Sequence, residues 1–275
     1  VNKRGINFLA TSKGENRNEN LSEHDFIDLD ICNKEQIDKV IDAYKPNYLI
    51  HTAAITNVDY CELNPDECDK TNRLASLNLF EACKKRNIHF QLLSTDFVFD
   101  GQKGNYKEVD KPNPLSIYAK SKVDAENVLL KSDYLNFSIV RTIIVYGQGS
   151  NLSRSNIVCW AKDALSKGEQ MNIVFDQFRA PTWASDLAWA CLRICELNKK
   201  GIYHICGPQT MSVYEIVERI ANHFKYPIDT LKKISSKTLS QPAKRPPKTG
   251  FNLSKAQKDL GYNPKTLEES LDLLN

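Results

Sequence analysis

Short apolar runs alternate with longer amphipathic stretches through the first half of this chain, and that alternation leaves few folds open to it. Residues 6–11 (INFLAT), 48–55 (YLIHTAAI), 89–95 (HFQLLST) and 137–147 (FSIVRTIIVYG) predict strands. Residues 34–44, 68–87 and 117–132 predict helices. Ile37, Val40, Ile41 and Tyr44 fall at helical spacing in the first, and Leu74, Leu77, Phe80 and Ala82 lie near one face of the second. Strands separated by helices of this length imply a parallel sheet covered on both faces, a doubly wound α/β fold. The pattern loosens after residue 150. Helices are expected at 156–168, 186–198 and 213–224, a short strand at 201–207, and a Pro-rich basic loop leading into a helix over 240–262. The expected division is therefore a sheet domain over 1–150 and a smaller α/β substrate lobe over 151–275.

Composition removes several classes of function. With 37 Lys and Arg against 34 Asp and Glu, the net charge is +3 and no long basic block stands out, which gives no support for nucleic acid as a partner. No apolar run approaches the ~18 residues of a membrane span. The eight cysteines form no CxxC pair and no zinc-like spacing with histidine, so no metal is expected. They read as free thiols in a reducing compartment, which places the chain in the cytoplasm.

Ligands of open α/β sheets lie at the carboxyl ends of the strands. Polar residues mark those ends here: Thr11, Ser12 and Lys13; Asp28 and Asp30; Thr56; and Ser94, Thr95 and Asp96. The helix after the Ser94–Thr95–Asp96 end begins SIYAKSK. Residues at i and i+4 share a helix face and residues at i and i+2 do not, so Lys122 converges with Tyr118 while Lys120 points away. An ammonium near a phenol favours the phenolate and lowers its pKa, which suits a general acid or base.

Six stretches carry a resemblance to a known family. They are HTAAITNVDYCE (51–62), STDFVFDG (94–101), NPLSIYAKSK (113–122), RTIIVYG (141–147), DQFRAPT (176–182) and RPPKTGFNLSKAQKDLGY (245–262). In this order they resemble the extended short-chain dehydrogenase/reductases, and most of all the dTDP-4-dehydrorhamnose reductase family. The resemblance implies a Rossmann-like sheet and reduction of a 4-keto nucleotide sugar. It implies that Tyr118 donates a proton to the sugar C4 oxygen, that Lys122 lowers the Tyr118 pKa and binds the nicotinamide ribose, and that Thr95 hydrogen-bonds the same oxygen. Asp96 and Ile144 would line the sugar site, and Arg245 would reach the nucleotide diphosphate. Asp30 and Ile31 would flank the adenine, and Ala54, Ile55 and Thr56 would line the cofactor groove. Where NAD-preferring folds place an acid, this chain has Thr11, Ser12 and Lys13 with Arg17 nearby, which favours NADPH over NADH. A homodimer is compatible with the resemblance.

The sequence also departs from the family. The first strand and the glycine-rich phosphate loop have no counterpart ahead of Thr11, and the first residue is Val, so the expectation is an N-terminally truncated version of the fold. Phe97 replaces a tyrosine of the family motif, and Ile144 stands where a tryptophan is common. Phe97 also occupies the place of a glutamate that dehydratases carry. The alternatives are therefore an epimerase of the same superfamily, or a non-catalytic chain resembling the regulatory subunit of methionine adenosyltransferase.

Overall fold

The computed structural model describes residues 5–149 and 156–274. Its centre is a parallel sheet of four strands: β3 (Tyr48–His51), β4 (His89–Thr95), β5 (Phe137–Thr142) and Gly201–Ile205. β4 lies between β3 and β5, and Gly201–Ile205 pairs with the other edge of β5. All six residues of β5 and all but one of β4 are buried, as expected for strands covered on both faces. A second parallel pair joins β1 (Ala10–Ser12) to β2 (Phe26–Asp28). Among the described residues no strand bridges β1 to β3.

The helices begin where short polar side chains can cap them. Asn33 accepts from the Glu35 and Gln36 amides to start α1 (Lys34–Tyr44), which buries Ile37 and Ile41. Asn57 caps α2 (Val58–Leu63) and Ser116 caps α5 (Ile117–Leu130) in the same way. The long helix expected over 68–87 is divided. α3 (Pro65–Asp69) passes through a wider π-helical turn over Lys70–Leu74 into α4 (Ala75–Lys85). π-Turns shift side chains off the helical register and recur at functional sites.

The strand expected over 6–11 is confined to Ala10–Ser12, because only these residues find a partner in β2. The run 137–147 is broken in two by Ile144, whose φ of 31° lies in the left-handed region and turns the chain out of the sheet. Val145–Tyr146 then pairs with Thr182–Trp183. Because Gly201–Ile205 belongs to the central sheet, the sheet draws on sequence on both sides of residue 150.

A smaller group of elements packs beside the sheet around its own apolar cluster. It includes Val158, Ala161 and Leu165 of the helix Ile157–Ser166, and Ile216, Val217 and Ile220 of the helix Val213–Phe224. The parallel strands Met171–Val174 and Leu231–Ile234 cover one side of it. No helix of the described residues is long and apolar enough to cross a membrane.

Candidate active site

The carboxyl end of β4 and the first turns of α5 form the chemical centre. Thr95 ends β4, and its hydroxyl lies near enough to the Tyr118 phenol to favour the ionised form. Tyr118 and Lys122 are 8% and 3% exposed, whereas Lys120 lies on the outer face of α5 in an ion pair with Asp124. The helix thus turns Tyr118 and Lys122 inward and Lys120 outward. Ile117 N donates to the Glu62 carboxylate at 3.0 Å, which ties the start of α5 to α2.

Charge in this corner is governed by burial. Burial pushes the Tyr118 phenol above its ordinary value, the Thr95 hydroxyl opposes this, and the Asp96 charge adds to it. In the chain by itself, loss of water around the phenol outweighs the lowering expected from Lys122. Burial therefore favours the protonated phenol over the phenolate. Lys122 is pushed down to about 8 by burial, while Glu126, one turn further along α5, pulls the other way. Among the described residues the Lys122 ammonium meets no hydrogen-bond acceptor. A buried cation with open donors fits a ribose hydroxyl, so the residues present suit a dinucleotide at this point.

Sequence reading missed two groups that hold this corner in place. Asn72, fully buried on the π-turn, accepts from Ile55 N at 2.8 Å and donates to Ile55 O at 3.0 Å and to Ser121 Oγ at 3.0 Å. Ser121 Oγ in turn donates to Tyr118 O at 2.8 Å. One asparagine therefore joins the groove residue Ile55 to the turn that carries Tyr118. The second group is a buried ion pair. Glu126 accepts from Arg141 Nε at 2.9 Å and Nη2 at 2.6 Å, and from Ser94 Oγ at 2.6 Å, with both charged side chains 1% exposed. A polar residue on an amphipathic helix and an acid within α5 gave no local signal of these long-range contacts.

At the outer end of the groove, Lys13 pairs with Asp30 at 2.8 Å, and Asp30 also accepts from Cys32 N at 2.9 Å. These contacts hold the Asp30 carboxyl below its usual range. Asp30, Cys32, Asn33, Lys34, Glu35 and Lys70 line an open depression of about 490 Å³. Thr11, Ser12 and Arg17 are exposed, Ile31 and Ala54 are half-buried, and Thr56 is exposed on the loop after β3. The expected cofactor residues thus run from β1 and β2 across the ends of β3 and β4.

At the substrate end, Asp96 is 3% exposed and accepts from Thr95 Oγ1 at 3.1 Å and from Thr249 Oγ1. Phe97 packs edge-on against Tyr118 with ring centroids 6.2 Å apart, so the aromatic face is kept without the hydroxyl. Ile144 is half-buried against the cluster of Val98, Phe99 and Tyr106. Arg245 forms a two-pronged pair with Asp59, at 3.1 and 2.7 Å, so its guanidinium is engaged within the chain. No group of three or more metal-binding side chains occurs among the described residues.

A parallel α/β sheet with a buried Thr–Tyr–Lys set at the strand ends defines an oxidoreductase-type dinucleotide fold. The chain belongs to the RmlD substrate binding domain family, whose model matches residues 1–274. A dTDP-4-dehydrorhamnose reductase of Aggregatibacter actinomycetemcomitans is 32% identical over 90% of this chain and 86% of its own length. Methionine adenosyltransferase 2 subunit beta of Rattus norvegicus is 28% identical over 88% of this chain and 73% of its own length. Among solved structures, dTDP-4-dehydrorhamnose reductase from Bacillus anthracis in complex with NADP has a TM-score of 0.83 and 26% identity, covering 93% of this chain and 92% of its own.

Proposed function

We propose that this chain reduces a 4-keto nucleotide sugar with NADPH, and that dTDP-4-dehydrorhamnose is the first substrate to test. The observation that carries the reading is the buried Tyr118 phenol, set beside Thr95 and one turn ahead of the unpartnered Lys122 ammonium. When bound, the nicotinamide supplies a hydride for the carbonyl carbon. Thr95 and Tyr118 hold the carbonyl oxygen, and Tyr118 gives it the phenolic proton as negative charge develops there. Lys122 donates to the ribose and stabilises the tyrosinate left behind. Asp96 and Phe97 border the sugar. Lys13 and Arg17 supply positive charge near the adenosine ribose, and this favours a 2′-phosphate, with NADH the alternative. Arg245 acts on the diphosphate only by sharing its pair with Asp59.

The NADP-bound B. anthracis relative supports the cofactor assignment. Incubation with NADPH and dTDP-4-dehydrorhamnose is expected to consume one NADPH for each C4 alcohol formed. An epimerase would interconvert C4 configurations without net NADPH loss, and that result would replace the reading. A second reading, a non-catalytic regulatory chain, is favoured by the similarity to methionine adenosyltransferase 2 subunit beta. It predicts nucleotide binding without turnover. We take the chain to act in the cytoplasm, since all eight cysteines are free thiols. Light scattering decides between monomer and homodimer.

A further inference from the structure

A buried cation beside the Thr95–Asp96 corner has no assigned role. Arg179 lies in the short strand Phe178–Arg179 and is 2% exposed. Its Nε is 3.9 Å from Asp96 Oδ2, and its guanidinium carbon stands 5.3 Å from the centre of the Phe97 ring. Its remaining donors face backbone. Nη2 donates to Pro246 O at 2.8 Å, and Nη1 donates to Phe178 O at 2.7 Å and Pro247 O at 3.3 Å. The Pro246 and Pro247 carbonyls belong to a segment that also meets Gly101 and Asp96. Phe178 N donates to Pro247 O at 2.7 Å, Lys248 N donates to Gly101 O at 3.2 Å, and Thr249 Oγ1 reaches Asp96. Gly101 permits the approach: a Cβ there would lie 2.7 Å from Pro246 Cβ.

We propose that Arg179 is a positioning residue for the substrate end of the cleft, holding Asp96 and the Pro246–Thr249 segment in register beside Tyr118. A guanidinium suits this task because its planar fork serves an acid, a ring face and three carbonyls together. The electrostatics agree with the geometry. Burial raises Asp96, and Arg179 is the largest opposing influence, followed by Thr249 and Thr95. The Asp96 charge in turn raises Tyr118 and the buried Cys206 thiol, while Arg245 lies close enough to repel Arg179. Loss of the cation therefore leaves Asp96 protonated to higher pH, in a range below that in which Tyr118 ionises.

The proposal rests on Tyr118 as proton donor, so the experiment reads binding as well as turnover. Arg179→Met and Arg179→Lys are compared with the unaltered chain for calorimetric binding of dTDP-4-dehydrorhamnose and NADPH, and for turnover against pH. Arg179→Met is expected to weaken sugar-nucleotide binding roughly tenfold or more, the scale of one lost charge-assisted hydrogen bond. NADPH binding should hold, and the acid limb of the pH profile, where Asp96 takes up its proton, should move to higher pH. Arg179→Lys keeps the charge and loses the fork, so it should raise KM and leave the pH limb in place. If Arg179→Met fails to fold, Arg179→Lys with Thr249→Val tests the same contacts. Unaltered sugar binding and pH limb in these variants would overturn the proposal. A wild-type chain that binds both ligands without turnover overturns the reductase reading alone, because the binding comparison still decides the role of Arg179.

Discussion

Asn72 holds Ile55 by both backbone polar groups, accepting from its amide at 2.8 Å and donating to its carbonyl at 3.0 Å. This clamp joins the loop after β3 to the turn of α5 that carries Tyr118. Asn72→Ala would strand two backbone groups of Ile55, each costing about 1–3 kcal/mol where buried. The expected result is a loss of about 2–6 kcal/mol in chemical denaturation and weaker NADPH binding in fluorescence titration. A variant with full stability and full affinity would show that the clamp is dispensable.

The clamp also marks the limit of what the sequence reveals. The strand–helix alternation and the pair Tyr118–Lys122 are local patterns, so both are visible in the residues themselves. α1 runs from Lys34 to Tyr44 as expected, because Asn33 caps it and Ile37 and Ile41 anchor it. The function of Asn72 depends on a π-turn and on a partner 17 residues away. The Arg179–Asp96 approach and the Arg141–Glu126 pair join different elements, and no helical or strand period encodes them. The left-handed turn at Ile144 was likewise hidden inside a run of β-formers.

Lys122 makes stability depend on pH in an unusual direction. Its pKa is about 8 in the folded chain against an ordinary 10.5, mainly because burial disfavours the charge. Between those values the unfolded chain binds more protons, so stability rises as pH increases through this window. The full effect is on the order of 3 kcal/mol. Lys122→Met should abolish this rise and increase stability at neutral pH, while weakening NADPH binding. Denaturation curves at neutral and alkaline pH measure the first effect, and NADPH titration the second.

The Glu126–Arg141 pair should show strong non-additivity. Glu126→Gln leaves a guanidinium that is 1% exposed without its counter-charge, at an expected cost of about 3–5 kcal/mol. The double substitution Glu126→Leu with Arg141→Met removes both charges and should recover most of that loss. A double-mutant cycle on unfolding free energies checks it. Simple additivity would mean that the pair does not act as a unit.

Removal of the phenol should separate binding from chemistry. Tyr118→Phe keeps the ring against Phe97 and removes the proton donor, so NADPH affinity should hold while kcat falls about 10²–10⁴-fold. Steady-state turnover with parallel NADPH titration gives both quantities. An unchanged kcat would remove Tyr118 from the chemistry.

The central claim is that this chain adds a hydride to C4 of a nucleotide sugar and protonates the oxygen from Tyr118. The most direct measurement is label transfer: the chain is incubated with dTDP-4-dehydrorhamnose and NADPH deuterated at the transferring position, and the product is read by NMR. The account predicts one deuterium at sugar C4 for each NADPH oxidised. Product without deuterium, or deuterated NADPH left unconsumed in the presence of bound sugar nucleotide, would contradict it.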